Sequence, residues 1–217
     1  MHGHQVNHGF FVHKEVKHNP DGTGEAYDPH DCPVAVDDNY TLAEGGTITK
    51  VVVDGLRAND TDAEGDAFIV IRFSNPTYGI LSLNPDGSFT YTHDGGEVPT
   101  DSFTYTLNDG GCDSNIGTVN LTITPVNDCP VALRTTYTVM EGGTLNKSVL
   151  EGFLRFDSDA DGDPFTAIKV TDPLHATSFT LNPDGSFTYV HDGTNTLFDS
   201  LTYKINDGLC DSDVVKV

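Results

Sequence analysis

The chain is written twice. Cys32-Pro-Val-Ala35 returns as Cys129-Pro-Val-Ala132, Glu44-Gly-Gly-Thr47 as Glu141-Gly-Gly-Thr144, and the nine residues 83–91 return unchanged as 181–189. Asn108-Asp-Gly-Gly-Cys-Asp-Ser114 comes back as Asn206-Asp-Gly-Leu-Cys-Asp-Ser212. The offset is 97 in the early motifs and 98 in the late ones, so one residue is gained between them. Solenoid units run to roughly 20–50 residues, so a repeat this long is a whole domain. The 217 residues accommodate two such domains, each large enough for its own core.

Within each copy the apolar residues alternate. Phe103, Tyr105 and Leu107 share one face, Val119, Leu121 and Ile123 another, and Phe89 and Tyr91 a third, with Thr, Asn and Ser between them. That is the period of half-buried strands. Turn signals cut the first copy at Glu44-Gly-Gly46, at the acidic stretch 60–66, at Asn75-Pro-Thr-Tyr-Gly79, at Asn84-Pro-Asp-Gly87, at His93-Asp-Gly-Gly96 and at Asn108-Asp-Gly-Gly111. Six turns separate seven short strands, the pattern of an immunoglobulin-like sandwich of two antiparallel sheets. The expected fold is all-β: two tandem sandwiches, over 31–128 and 129–217.

Asp60-Thr-Asp-Ala-Glu-Gly-Asp66 and its copy Asp157-Ser-Asp-Ala-Asp-Gly-Asp163 crowd carboxylates around one glycine. Bare, they repel; a cation among them relieves the strain. Calcium takes six to eight oxygen ligands in flexible geometry, and alternating carboxylates on a turning backbone supply them. A single such stretch is more often a solvated turn, but recurrence at one spacing favours a metal. An EF-hand is excluded, because its twelfth position needs a bidentate Glu and the two copies carry Ile71 and Ile168 there.

Thirty-three acidic against eleven basic residues give a net charge of −22, which argues against nucleic acid or an anionic membrane surface as partner and for cations. No apolar run approaches the roughly 20 residues of a membrane helix, and the N-terminus lacks the apolar core of a secretory signal. Residues 1–30 hold six of the nine histidines without alternation, and read as a poorly ordered leader. His2, His4 and His8 within it complete no zinc or nickel pattern.

The string of motifs resembles the bacterial cadherin-like tandem repeats of large surface and secreted adhesins. The resemblance covers residues 32–217 and rests on Pro-Val-Ala-x-Asp-Asp, Ala-Asn-Asp-x-Asp-x-x-Gly-Asp, Asn-Pro-Asp-Gly-Ser-Phe-Thr-Tyr and the closing Asn-Asp-Gly. It implies calcium ligands where cadherins have them. Glu44 resembles the Glu after the first strand, Asn127 and Asp128 the linker, Asp157 and Asp159 the D-x-D loop, and Asp207 the last acidic ligand, with Asp109 its first-copy counterpart; Asp101 resembles a further one. Two calcium arrangements stay open: a junction site between repeats, or a site closed within each acidic loop through Asp60, Asp62, Glu64 and Asp66. Where the first copy has Asp37-Asp38 the second has Arg134-Thr135, which removes that pair from any second-copy site.

In head-to-tail sandwiches the first strand starts and the sixth ends at the same pole, which predicts disulfides Cys32–Cys112 and Cys129–Cys210 and an oxidising compartment. Counting from Cys210, Val217 matches Val119, so the second copy lacks the counterparts of Leu121 and Ile123, most of its last strand. That makes the chain read as part of a longer array with a weaker second domain. His93 and His191, each before Asp-Gly, invite a hydrolase reading. No G-x-S-x-G, H-E-x-x-H or phosphate loop accompanies them, and a hydrogen-bonded surface role is expected instead. The expected function is non-enzymatic: a calcium-binding, extracellular adhesion or spacer arm, stiffened by calcium at the inter-repeat junction, with neighbouring repeats and cell-surface proteins or glycans as partners. The alternative is a carbohydrate-binding accessory module of a secreted enzyme, against which the absence of Trp counts.

Overall fold

The computed structural model describes residues 30–217, together with the backbone of a short antiparallel ladder between Val16–Lys17 (β1) and Ala26–Tyr27 (β2). The remainder of the expected leader, with His2, His4 and His8, lies outside the described residues. The chain divides into two compact units, one ending at Pro125 and the other running from Val126 to Val217.

Unit 1 has the seven expected strands: β3 (Asp38–Ala43), β4 (Thr47–Lys50), β5 (Ile69–Arg72), β6 (Gly79–Leu83), β7 (Phe89–His93), β8 (Thr100–Asn108) and β9 (Gly117–Thr124). They form a four-stranded sheet in the order β3-β9-β8-β5 and a three-stranded sheet β4-β7-β6. The core lies between them. Phe89, Tyr91, Phe103, Tyr105, Leu107, Val119 and Leu121 are at most 2% exposed, and they are the residues whose alternation marks the strands. The turn between β6 and β7 closes on Gly87 at φ +83°, a left-handed conformation that glycine reaches without a Cβ penalty.

One pairing departs from the expected antiparallel plan: β3 runs parallel to β9, from Asp38 opposite Val119 to Ala43 opposite Thr124. The turns explain it: six of them separate β3 from β9, so the two strands run the same way. Cys32 is bonded to Cys112, with the Cα atoms 5.4 Å apart, so the chain leaves one pole twice and travels in the same direction both times. Cys129 is bonded to Cys210 in the same way, as the spacing predicts.

Unit 2 repeats the plan with β10 (Thr144–Lys147), β11 (Thr166–Thr171), β12 (Ala176–Leu181), β13 (Phe187–His191), β14 (Thr202–Asn206) and β15 (Val215–Lys216), in sheets β10-β13-β12 and β11-β14-β15. The short β15 pairs with β14 through two residues, and residues 135–140, the counterpart of β3, carry no strand. A strand whose ladder partner is the counterpart of β9 has little to pair with here.

Each unit also carries paired 3₁₀ turns that the sequence pattern does not announce: Val52–Asp54 and Leu56–Ala58, then Val149–Glu151 and Phe153–Phe156. They insert Leu56 and Phe153 into the cores with no exposed surface. A Cβ on Gly55 would stand 2.4 Å from the Gly87 carbonyl oxygen, so this close approach requires glycine.

Candidate metal centre

The candidate ligands of unit 1 separate to opposite poles. Asp101 is the second residue of β8 and Asp109 follows its end, eight residues on, roughly 26 Å at about 3.3 Å per residue. Glu44 lies beside Asp101's pole, its backbone N–H donating to Thr124 at the end of β9.

Asp101 is held by the fold. Its carboxylate accepts from the backbone N–H groups of Thr77, Tyr78 and Ser102 at 2.8–3.0 Å and from the Tyr91 hydroxyl at 2.8 Å, and the residue is 7% exposed. Burial alone would raise its pKa; these four donors outweigh burial and hold it below the ordinary value. Asp199 has the same set from Leu174, His175, Ser200 and Tyr189.

At the other pole the first aspartate of each acidic loop faces inward. Asp60 accepts from Val36 N–H at 2.8 Å and the Tyr105 hydroxyl at 3.0 Å, and Asp157 accepts from Leu133 N–H and the Tyr203 hydroxyl at 2.8 and 3.0 Å. Burial raises the pKa of both. Asp38 shares the Tyr105 hydroxyl, and burial, with Asp60 beside it, pushes its pKa up to about 6.

The rest of the loop turns outward around the second aspartate. Asp62 Oδ1 accepts from the N–H groups of Glu64 and Asp66, and Asp159 Oδ1 from that of Asp163. The other oxygen of each, Asp62 Oδ2 and Asp159 Oδ2, is buried without a hydrogen-bond partner. Asp109 makes a third case: Oδ1 accepts from the Gly111 and Cys112 N–H groups, while Oδ2 is buried and unpartnered.

In unit 2 the linker residues come to this pole. Asn127 Nδ2 donates to Asp207 Oδ2 at 3.0 Å, and the Asp128 N–H donates to Asp161 Oδ2 at 2.7 Å. Asp207 Oδ1 takes the Leu209 and Cys210 N–H groups. The Cys210 N–H, then Asn127 and the Leu209 N–H, hold Asp207 below the ordinary carboxylate value. Within unit 2 the linker is thus tied at two points, Asn127 to Asp207 and Asp128 to the acidic loop that contains Asp157 and Asp159.

In unit 1 the corresponding linker position is His30, which the motif reading passed over. Its Nε2 lies 3.4 Å from Asp109 Oδ1 and its Nδ1 3.8 Å from Asp66 Oδ2. Aligning His30-Asp31-Cys32-Pro33 with Asn127-Asp128-Cys129-Pro130 was the signal that could have found it.

His93 and His191 are buried rather than on the surface, a correction to the expected role. His93 Nδ1 accepts from Gly45 and Gly95 N–H at 3.3 Å, and His191 Nδ1 from Gly142 and Gly193, so each ring braces two glycine turns. A residue between strand and turn faces either way by sequence alone; here the period of β7 and β13 carries the ring inward.

The sequence profile of the bacterial cadherin-like domain matches residues 30–125 and again 127–217. The chain belongs to this family. Extracellular matrix organizing protein FRAS1 of Homo sapiens is 27% identical over 211 residues, 81% of this chain and 5% of that protein. The Mus musculus protein of the same name is 26% identical over 210 residues, with the same coverage. The chain thus spans a small part of the curated relatives it matches. Among solved structures, human CDH23 EC21-23 superposes with a TM-score of 0.53 at 17% identity, over 89% of this chain and 66% of that one. Human Mucin-like Protocadherin EC1-2 gives 0.52 at 15% identity, over 85% and 95%. These likenesses speak for the cadherin fold.

A bacterial cadherin-like repeat raises the question of calcium, and the side chains answer it differently in the two units. The pole of unit 2 carries two carboxylates and an amide: Asp159 Oδ2 is unpartnered, and Asp207 takes a hydrogen bond from the Asn127 amide, whose oxygen could serve as a ligand if the amide turned. That set fits a hard cation. In unit 1 an imidazole stands where the amide stands in unit 2, and a ring nitrogen is a poor partner for calcium.

Proposed function

We propose that this chain is a calcium-binding pair of cadherin-like repeats, serving as an adhesion or spacer segment of an extracellular protein. The observation that carries the reading is the buried, unpartnered oxygen of Asp159, matched by Asp62 at the equivalent loop position. An unpaired buried carboxylate oxygen is costly, and an ion is one of the few explanations for retaining it twice. Asp159, Asp207 and Asn127, its amide turned to present oxygen, would hold calcium at the pole where the chain enters repeat 2. Binding there would fix the segment Asn127–Asp128 against the acidic loop, which already accepts the Asp128 N–H. The extracellular setting is supported by two disulfides, which persist in oxidising compartments, and by relatives named for the extracellular matrix. Among the described residues, no helix is long and apolar enough to cross a membrane.

Calorimetric titration of the full chain with calcium chloride tests the reading. A dissociation constant on the order of 10⁻⁴ to 10⁻³ M is expected, as for extracellular modules. Asp159→Asn should weaken that binding at least tenfold while far-ultraviolet dichroism stays that of the parent. Equal isotherms for parent and variant would remove the basis of the proposal.

A further inference from the structure

The two repeats differ at this pole in several residues, and at one pair of matched positions the exchange is concerted. Repeat 2 has Asn127 and Leu209; repeat 1 has His30 and Gly111 at the matching positions. A Cβ built on Gly111 would lie 1.7 Å from His30 Nε2 and 2.4 Å from its Cδ2, so the ring occupies the space that a side chain at 111 would take. Gly111 is not among the glycines with positive φ, so its backbone does not require glycine. What requires glycine there is the imidazole.

The ring is placed between two carboxylates. Nε2 faces Asp109, whose side chain has no exposed surface and whose Oδ2 is buried without a hydrogen-bond partner. Nδ1 faces Asp66 Oδ2 at 3.8 Å. The Cys112 sulfur completes a cluster with His30 and Asp109 whose ligand atoms lie within 4.8 Å of one another, but it is spent in the disulfide and offers no thiolate. A histidine with one nitrogen directed at a buried acidic ligand and the other at a second carboxylate is the arrangement that orients imidazole on zinc. Neutral imidazole suits zinc and its neighbours among the transition metals, whereas calcium takes oxygen.

We propose that repeat 1 binds a borderline divalent cation of the zinc class at this pole, through His30 Nε2 and Asp109, with Asp66 orienting the ring and water filling the remaining positions. The pair would then carry two metal specificities, an oxygen-only site in repeat 2 and a nitrogen-containing site in repeat 1. The inference builds on the calcium reading of repeat 2 only for that contrast; zinc binding by repeat 1 stands or falls separately.

The test is a calorimetric titration of the full chain with zinc chloride. The other histidines of residues 1–29 are removed as competitors by His2→Gln, His4→Gln, His8→Gln, His13→Gln and His18→Gln in every sample. One zinc per chain is expected, retained in a hundredfold excess of calcium, with a shift of the His30 ring signals in a two-bond ¹H–¹⁵N spectrum. His30→Asn should lower the zinc affinity at least tenfold. Gly111→Leu, which gives position 111 the residue found at 209, should do the same by displacing the ring. Gly111→Leu should leave the calcium isotherm of the chain unchanged, and His30→Asn, which gives repeat 1 the amide found at 127, should weaken none of the calcium binding of the parent. An unchanged zinc isotherm in His30→Asn, or displacement of zinc by equimolar calcium, overturns the inference and leaves the calcium reading in place. Zinc binding through His30 without any calcium binding would instead overturn the calcium reading alone.

Discussion

Tyr91 donates its hydroxyl to Asp101 across 2.8 Å, and this bond closes a carboxylate that also takes three backbone N–H groups. Both oxygens are therefore engaged by the fold. Asp101→Asn replaces an acceptor by a donor against N–H groups, and is expected to destabilise repeat 1 by about 2–3 kcal/mol, the range for losing hydrogen bonds to a buried charged group. Tyr91→Phe should cost about 1 kcal/mol, a single bond's worth. Urea unfolding checks both. Because the folded pKa is depressed, the stability Asp101 contributes is present above the unfolded value of about 3.9 and is lost as pH falls through the lower folded value.

Asp38 behaves in the opposite sense. Its folded pKa of about 6 is raised, so at neutral pH the folded state carries the cost of a buried charge beside Asp60. As pH falls from about 6 toward the unfolded value of about 4, the folded state takes up a proton first and the cost disappears. Asp38→Asn, which keeps an acceptor for Tyr105, should stabilise repeat 1 by about 1–3 kcal/mol at pH 7.5 and by nothing measurable at pH 4. Chemical unfolding in chelator at both pH values measures the gap. A gap that persists at pH 4 would place its origin elsewhere.

The disulfides tie the two ends of each sandwich at one pole. Cys32–Cys112 closes a separation of 80 residues and Cys129–Cys210 one of 81. In the chain-entropy model each is worth about 4–5 kcal/mol. Replacing the first pair by Cys32→Ala with Cys112→Ala should lower the melting temperature of repeat 1 and leave that of repeat 2 in place, since each bond lies within its own unit. Calorimetric scanning distinguishes this from a general loss.

The strands were legible because they are period-two runs bounded by turn residues: Phe103, Tyr105 and Leu107 alternate in the sequence and are wholly buried in the structure. Direction is another matter. Alternation is the same whichever strands are neighbours, so the pairing of β3 with β9, which six turns make parallel, is not read from the pattern. Leu56 and Phe153 escaped notice because turns of three or four residues are too short to show a period. At the poles, acidic side chains look alike in sequence. Only their donors separate Asp101 and Asp60, held by tyrosine and backbone, from Asp62, Asp109 and Asp159, which keep an oxygen unpartnered.

The unequal sheets of the two repeats carry the last prediction. In repeat 1, β9 pairs with β8 on one side and β3 on the other, and places Val119, Leu121 and Ile123 in the core. In repeat 2 the corresponding segment reaches Val217, which exchanges two backbone hydrogen bonds with Leu201, and residues 135–140 stay outside any ladder. Burying an aliphatic side chain such as Leu121 or Ile123 is worth roughly 1.5–3 kcal/mol, a large share of the 5–15 kcal/mol that holds a domain together. Leu121→Ala with Ile123→Ala should therefore lower the calorimetric transition of repeat 1 and leave that of repeat 2 in place, with amide protection lost along β3 and β9 by hydrogen exchange. A transition of repeat 1 that the double variant leaves unmoved would show that this ladder contributes little to its stability.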